Sequence, residues 1–311
     1  MSQTNHPQRN FDTREEYWES IRTSLLSARY LSGLLERSKG SFLVSEDHLT
    51  LSYRIPTGQI INLEVNEMDT RSAPLTILAE GTYEGYLESL ILKLATLAKT
   101  FLDIGANAGF YSISAAIANP GLSVHAFEPN PVVANVLQRN AIRNSVDGQV
   151  NIHVLGLSEA SGTSNFFVPA FTGTGGGSLM DLHPEEEKLE EIKVQLETLD
   201  SLSLSGVGLI KIDVEGNEYS TVKGGLSLIE SEKPTIVIEL LRKWMKPFGK
   251  HPQDVLRLLA PLGYSCLAVG EDGLRELVEI SDTTPETNFL FVHESSKNQI
   301  FKATTEITDK G

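Results

Sequence analysis

Apolar residues recur from Thr100 onward in short runs that alternate with amphipathic stretches of helical spacing. Short apolar runs bounded by turn residues indicate strands, and apolar positions three and four apart indicate helices. The pattern predicts strands at 100–104, 122–127, 150–155, 207–212, 235–239, 264–269 and 288–292. It predicts helices at 109–118, 131–144, 217–230 and 252–261. This alternation is typical of an α/β fold, here a seven-stranded, mostly parallel, doubly wound sheet with helices on both faces.

The residues before this sheet follow a different pattern. Thr13 and Glu16 form a capping-box signal ahead of an apolar stripe, which predicts a helix over 13–37. Three short strands are predicted next, at 42–44, 48–55 and 59–65. Between 73 and 98 the helical spacing is interrupted by glycines, which predicts two short helices flanking the loop 80–85.

These patterns divide the chain into an appendage of a helix and a β-hairpin over 1–75, an α/β domain over 76–296 and a polar tail over 297–311, which we expect to be frayed. An insertion at 156–206 separates the third and fourth strands and carries the Gly-rich segment 172–178 and an acidic run at 185–187. A structureless segment of this length is usually a lid, a binding loop or disordered.

Charge and cysteine content narrow the class of protein. With 26 basic and 41 acidic residues the formal charge is −15, which disfavours a nucleic-acid partner because the surface repels phosphates. Cys266 is the sole cysteine, so neither an intrachain disulfide nor a cysteine metal cluster can form. No signal-peptide pattern and no apolar run of about 20 residues is present. We expect a cytoplasmic protein without a membrane partner.

The strongest chemical signal is the turn after the first strand of the α/β pattern. Asp103, Gly105, Asn107 and Gly109 follow the order D-x-G-x-N-x-G, and a predicted helix begins directly afterwards. Glycines let the backbone approach a ligand, and the helix N-terminus offers unpaired N–H groups. A dinucleotide requires G-x-G-x-x-G, and Asp103 would oppose its diphosphate. The turn therefore favours S-adenosylmethionine, with its ammonium and sulfonium groups, over NAD.

Polar residues also end the following strands. Glu128, followed by Pro129, ends the second strand, where a carboxylate can accept hydrogen bonds from a ribose diol. Ser158 or a neighbouring backbone amide after the third strand is placed to meet an adenine edge. Asp213 ends the fourth strand and shares a strand face with Lys211, which predicts an ion pair.

Five motifs in order resemble the FkbM family of S-adenosylmethionine-dependent methyltransferases. They are Gly81-Thr-Tyr-Glu84, Phe101-Leu-Asp-Ile-Gly-Ala-Asn-Ala-Gly109, Phe127-Glu-Pro129, Ile210-Lys-Ile-Asp-Val-Glu-Gly216 and Ile238-Glu239. The resemblance covers residues 80–240 and implies a class I, Rossmann-like methyltransferase sheet whose last strand is antiparallel. It also implies S-adenosyl-L-methionine as cofactor, a pocket lined by Tyr83 and Glu84, and methyl transfer to a hydroxyl of a sugar, glycan or secondary metabolite.

An alcohol acceptor must lose a proton, which calls for a general base. The resemblance implies Asp213, because the fourth strand ends at the cofactor methyl in this fold. Glu239 at the end of the fifth strand and His183 in the insertion are the other candidates. Alternatively, Asp213 and Glu239 share a divalent metal, although the sequence offers no obvious third ligand.

Two other functions remain open at this stage. A nucleotide-dependent oxidoreductase or epimerase would need a Tyr-x-x-x-Lys pair, which Tyr219 and Lys223 match only within a predicted helix. A non-catalytic S-adenosylmethionine-binding partner subunit is also consistent with the binding motifs. The segment 1–75 has three open roles: capping the active site, binding the acceptor or forming a homodimer contact.

Overall fold

The structure is a computed structural model, and it describes residues 41–44, 49–65, 72–169, 177–182, 189–270 and 273–308. The helix predicted over 13–37, most of the Gly-rich segment 172–178 and the acidic run 185–187 lie outside these residues.

Fourteen strands are assigned within the described residues. They are β1 Ser41–Val44, β2 Leu49–Arg54, β3 Ile60–Val65, β4 Thr100–Ile104, β5 Ser123–Phe127, β6 Val150–His153, β7 Gly156–Leu157, β8 Gly162–Pro169, β9 Leu189–Glu197, β10 Val207–Ile212, β11 Thr235–Glu239, β12 Tyr264–Gly270, β13 Gly273–Leu277 and β14 Asn288–His293.

The α-helices of the same residues connect these strands. They are α1 Ala73–Glu80, α2 Tyr86–Ala95, α3 Phe110–Ala118, α4 Pro131–Arg143, α5 Glu218–Lys223, α6 Leu226–Glu232, α7 Arg242–Met245, α8 Pro252–Leu259 and α9 Lys297–Thr308. Short 3-10 turns lie at Leu199–Leu202, Lys246–Phe248 and Ala260–Leu262.

The main sheet confirms the predicted α/β class. Its order is β13-β12-β14-β11-β10-β4-β5-β6. The strands from β11 to β6 are parallel, and β14 runs antiparallel between β11 and β12, as the family resemblance implies. Two apolar clusters cover its two faces, one beneath α2, α3 and α4 and the other beneath α5, α6 and α8. The strand order reverses between β4 and β10, where sheets of this kind bind ligands.

Two details of the predicted sheet are wrong. An eighth strand, β13, pairs with the edge strand β12, and its side chains are partly or fully exposed, so it carries no apolar signal. The helix predicted over 217–230 is broken into α5 and α6 at Gly224 and Gly225. A Cβ at Gly224 would lie 2.0 Å from the Ser158 carbonyl oxygen, so this close approach requires glycine.

The small amino-terminal sheet, β1-β2-β3, is antiparallel and packs its β3 edge against α4. The Asn144 side chain of the α4 C-cap accepts the Asn62 N–H at 2.8 Å and donates to the Asn62 carbonyl at 2.7 Å. Arg139 makes two hydrogen bonds to the Glu64 carboxylate, at 2.6 and 2.8 Å. These contacts satisfy part of an edge that would otherwise be open to another strand.

The insertion and the tail are more ordered than the sequence predicts. Within 156–206 the strands β7, β9 and β8 form a separate three-stranded sheet, so a structureless insertion is wrong for the described part. The tail forms α9, whose Ile300 and Ala303 are buried, and α9 packs against α2. The expected fraying is wrong for residues 297–308, because two apolar positions of this polar segment share one helix face. No helix among the described residues has the length and apolar character needed to cross a membrane.

Candidate functional site

A cleft of about 1130 Å³, partly open to solvent, lies beyond the carboxyl ends of β4, β5 and β10. The turn after β4 and the loop after β10 contribute to its lining, and so do residues of the small sheet and of the insertion. The contributors from these last two are Leu63, Glu64, Phe166, Gly177 and Leu179. The cleft therefore has walls from regions outside the β-α repeat.

The Gly105–Gly109 turn owes its shape to positive backbone φ angles. Gly105 has φ +80°, and a Cβ there would lie 1.8 Å from the Asp213 carbonyl oxygen, so no side chain fits. Gly109 has φ +91° and precedes α3. Asn107 has φ +48°, and its side-chain Oδ1 accepts the Ala108 N–H at 2.6 Å. Gly105 and Asn107 border the cleft, whereas Gly109 does not, and its role is to start the helix.

Glu128 is the acidic residue that ends β5, and it borders the cleft together with Pro129. Its Oε2 accepts the Asn107 N–H at 3.0 Å and its Oε1 accepts the Asn130 N–H at 2.9 Å. Burial raises the pKa of Glu128 to about 7, against the opposing effect of these hydrogen bonds. The carboxylate therefore ties the end of β5 to the turn after β4.

Asp103 lies behind the cleft and does not line it. It is 1% exposed, its Oδ2 accepts the Ser112 hydroxyl at 2.6 Å, and its Cα stands opposite Lys211 in the β4–β10 register. Burial raises the pKa of Asp103, and the neighbouring Lys211 opposes that shift. This placement does not support the direct ligand contact predicted for Asp103. It supports an electrostatic effect of the Asp103 carboxylate on the site.

The predicted ion pair between Lys211 and Asp213 is confirmed, with Nζ and Oδ2 3.2 Å apart. Lys211 is buried, which by itself disfavours its charge, but Asp213, Asp103 and Glu84 together raise its pKa. Its Nζ also lies 5.2 Å from the centre of the Tyr111 ring. Lys211 is thus a fixed positive charge among carboxylates.

A smaller pocket of about 220 Å³ adjoins the cleft and shares Lys211 and Asp213 with it. Glu84, Glu239 and Asn288 contribute its other polar groups. Burial and the nearby Asp213 carboxylate raise the pKa of Glu239. The structure therefore brings together two of the three candidate bases, Asp213 and Glu239, whereas His183 lies outside the described residues.

The loop between α1 and α2 carries Tyr83 and Glu84. The Tyr83 ring borders the cleft and lies 4.4 Å from the Phe110 ring. Glu84 adopts φ +55° and accepts the Tyr111 hydroxyl at 2.5 Å. Glu84 reaches the smaller pocket and not the main cleft, so the two residues serve different parts of the site.

Glu88 holds the loop between α1 and α2 in place through a hydrogen bond. It is fully buried on α2, and its Oε2 accepts hydroxyl groups from Tyr53 of the small sheet and Thr82 of the loop, each at 3.0 Å. Burial raises the pKa of Glu88 to about 7, although both hydrogen bonds oppose the shift. One carboxyl group thus connects the small sheet, the loop and α2.

Several predicted positions lie away from the cleft. The Ser158 N–H is taken by the Glu197 carbonyl at 2.9 Å, and Leu155, Gly156 and Leu157 border the cleft in its place. Sequence reasoning missed the contributions of Glu64 and Asn140. No local motif marks these two, because their role depends on how the small sheet docks.

Within the described residues, no three His, Cys, Asp or Glu side chains group as a metal ion would need.

A cleft at the point where the strand order of a parallel sheet reverses is typical of Rossmann-like α/β proteins, which bind their ligands there. A profile of the methyltransferase FkbM domain matches residues 103–266, more than half of the sequence. The chain therefore belongs to the methyltransferase FkbM domain family, as the motifs indicate.

Curated relatives match parts of the chain. It is 30% identical over 151 residues to 31-O-demethyl-FK506 methyltransferase FkbM of Streptomyces tacrolimicus, an alignment that spans 39% of this chain and 57% of that protein. It is 28% identical over 173 residues to hexuronic acid methyltransferase AglP of Haloferax volcanii, which spans 55% of this chain and 65% of that protein. The matched region thus covers less than two thirds of each relative.

Solved methyltransferase structures resemble the chain at lower similarity. The methyltransferase FkbM from Methylobacillus flagellatus aligns with a TM-score of 0.41 and 17% identity, over 63% of this chain and 44% of that chain. An O-methyltransferase from Bacillus cereus, solved with S-adenosylhomocysteine, aligns with a TM-score of 0.34 and 14% identity, over 67% of this chain and 78% of that chain.

The raised pKa of Glu88 predicts a pH-dependent stability. A carboxyl group with a folded-state pKa of about 7 stabilises the fold below its unfolded pKa, and this contribution is lost as pH rises through 7. Glu88→Gln has no such titration, so from pH 5 to pH 8 its unfolding free energy should gain about 1 to 3 kcal/mol relative to the wild type. Urea unfolding at both pH values measures the difference.

Glu190→Gln is the matched control, because it removes a carboxylate from an exposed strand position. If the unfolding free energies of the wild type and Glu88→Gln change with pH in parallel, the raised pKa of Glu88 is contradicted.

Proposed function

We propose that the chain is an S-adenosyl-L-methionine-dependent O-methyltransferase that acts on a hydroxyl group of a small molecule, sugar or secondary metabolite. The observation that carries the proposal is the Glu128 carboxylate on a cleft that it shares with the Gly105–Gly109 turn, in a chain of the FkbM domain family. A carboxylate at this strand end is placed to accept hydrogen bonds from a ribose diol.

The charge around the cleft fits a cationic ligand. The acidic residues that border it are Glu64, Glu128, Asp213 and Glu215, and the basic one is Lys211. Lys211 is paired with Asp213, and Glu64 with Arg139. This excess of carboxylates over the lysine in the described lining favours a ligand that carries a sulfonium and an ammonium group, and it disfavours a dinucleotide diphosphate. The turn also lacks the glycine pattern that seats a pyrophosphate.

Bound S-adenosylmethionine would supply a methyl group already activated by the positively charged sulfur. Glu128 and the Gly105–Gly109 turn would hold the nucleoside end, and the cleft walls would exclude water. Positioning of an acceptor beside an activated group contributes roughly 7 to 11 kcal/mol to lowering a barrier of this kind. The chemical demand on the protein is therefore mainly alignment and removal of one proton.

Asp213 is the favoured base among the candidates. It lies where the cleft and the smaller pocket meet, and its Oδ2 is held by Lys211. Burial and the nearby Asp213 carboxylate raise the pKa of Glu239, which favours its protonated form as a hydrogen-bond donor beside Asp213. In this proposal Asp213 accepts the proton of the acceptor hydroxyl in the smaller pocket.

The names of two relatives support an oxygen acceptor. One is a 31-O-demethyl-FK506 methyltransferase and the other a hexuronic acid methyltransferase, so both act on oxygen-rich molecules. The oxidoreductase alternative gains no support, because neither Tyr219 nor Lys223 borders the cleft. The Tyr219 ring is covered by Lys250, and Lys223 pairs with Glu159. A non-catalytic binding partner would bind S-adenosylmethionine without transferring its methyl group. An assay of labelled methyl transfer distinguishes it from an enzyme.

Calorimetry should show saturable binding of S-adenosylhomocysteine and none of NADH. A ligand at 100 times its Kd stabilises a protein by about 2.7 kcal/mol, so thermal unfolding should show the same preference. Glu128→Gln should weaken S-adenosylhomocysteine binding about tenfold, because the ribose diol loses a charged acceptor. Glu159→Gln is the control, since it removes an exposed carboxylate that lies outside the cleft. Saturable binding of NADH alone would overturn the proposal.

Transfer of a labelled methyl group to a panel of hydroxylated acceptors should depend on Asp213. Asp213→Asn should lower the transfer rate by about 10²- to 10⁴-fold while S-adenosylhomocysteine still binds, because a general base is lost and the cleft is kept. Glu239→Gln should retain most of the rate, since an amide donates a hydrogen bond as a protonated carboxyl does. Equal losses in the two variants would exclude this division of roles, and transfer to no acceptor would favour the binding partner.

A further inference from the structure

Asn140 connects three parts of the molecule through one carboxamide. It is fully buried in α4, three residues before the helix ends at Arg143. Its Oδ1 accepts the Glu64 N–H of β3 at 2.8 Å. Its Nδ2 donates to the Ala108 carbonyl, inside the turn after β4, at 3.0 Å. The same side chain therefore holds the small sheet and the Gly105–Gly109 turn.

These contacts lie at the cleft and not at a remote part of the fold. Glu64, Ala108 and Asn140 all border it, on the side where the small sheet meets the turn. The turn contains Asn107 at φ +48°, which residues other than glycine rarely adopt and which its surroundings must stabilise, and Gly109 at φ +91°, which glycine adopts readily. The carbonyl of Ala108 lies between these two residues, so the Asn140 amide acts on the strained part of the turn.

We propose that Asn140 is a positioning residue for the cofactor, which makes the small amino-terminal sheet part of the cofactor-binding unit. The inference rests on the proposed function, because it takes the cleft to be the S-adenosylmethionine site. It assigns a role to a region that lies outside the matched family domain. Three roles were left open for the leading segment: capping the active site, binding the acceptor or forming a homodimer contact. Its described part borders the cleft.

Asn144, one helical turn further along, provides a matched comparison. Its side chain accepts the Asn62 N–H at 2.8 Å and donates to the Asn62 carbonyl at 2.7 Å, so it also holds β3. Its side chain also donates to the Asn140 carbonyl of the same helix at 2.8 Å, and it does not border the cleft. Loss of Asn144 thus weakens the docking of the small sheet without removing a bond to the turn.

The experiment compares Asn140→Asp with Asn144→Asp. A carboxylate at 140 still accepts the Glu64 N–H and still pairs with Arg143, but it cannot donate to the Ala108 carbonyl. Asn140→Asp should weaken S-adenosylhomocysteine binding about tenfold or more, as expected for one lost hydrogen bond and a repelled carbonyl. Asn144→Asp loses two donated bonds and should lower the melting temperature at least as much, yet it should weaken binding clearly less than Asn140→Asp, because it removes no bond to the turn.

Asn140→Asp is thus expected to lose more affinity, and Asn144→Asp at least as much stability. A merely structural role of Asn140 would not give this result. The wild type must first bind S-adenosylhomocysteine, and if it does not, the proposed function fails and not the inference. If the wild type binds and the two variants share one Kd, the inference is overturned. Asn140→Ala and Asn144→Ala repeat the comparison without an added charge, and circular dichroism establishes that each variant is folded.

Hydrogen exchange on the wild type tests the inference even if both Asn140 variants fail to fold. Asn62 does not border the cleft, but its N–H belongs to the strand that Asn140 connects to the turn. S-adenosylhomocysteine should therefore slow exchange of the Asn62 amide as well as that of Glu64. Unchanged exchange at Asn62 in the saturated protein would overturn the inference.

Discussion

The site depends on one close approach of backbone to backbone. At Gly105 the turn after β4 comes so near the end of β10 that a Cβ would lie 1.8 Å from the Asp213 carbonyl oxygen. The Asp213 N–H donates to the Ile104 carbonyl at 3.0 Å, which continues the sheet to that point. Because the two strands stay paired to their ends, the turn and Asp213 face the same cleft. A side chain at Gly105 would force the turn after β4 away from the end of β10.

The close pairing of β4 and β10 also brings charged side chains together. Asp103 and Lys211 stand opposite each other in the register, and Asp213 lies two residues beyond Lys211. A buried carboxylate or ammonium group is costly unless it is paired. Lys211 therefore neutralises part of a set of carboxylates that would otherwise repel one another, and the excess acidity is what suits a cationic ligand. The same excess raises the pKa of Glu239, beside the Asp213 that we propose as the base.

Local signals predicted much of this arrangement. Strong apolar runs located the parallel strands, and residues at strand ends, such as Glu128 and Asp213, were predicted because such ends meet at one edge of a sheet. Asp103 was predicted to contact the ligand, yet register turns it toward Lys211 and Ser112. The strand β13 and the helix α9 were missed because their patterns are mostly polar. The role of Asn140 depends on the docking of two distant segments, which no local spacing reveals.

The central claim is that this cleft holds S-adenosylmethionine through the turn after β4 and the Glu128 carboxylate. A crystal structure of the protein grown with S-adenosylhomocysteine tests it most directly. The account predicts density for the nucleoside in the cleft, with the ribose hydroxyls within hydrogen-bonding distance of Glu128. Density at another place on the protein, or an empty cleft at saturating ligand, would contradict it.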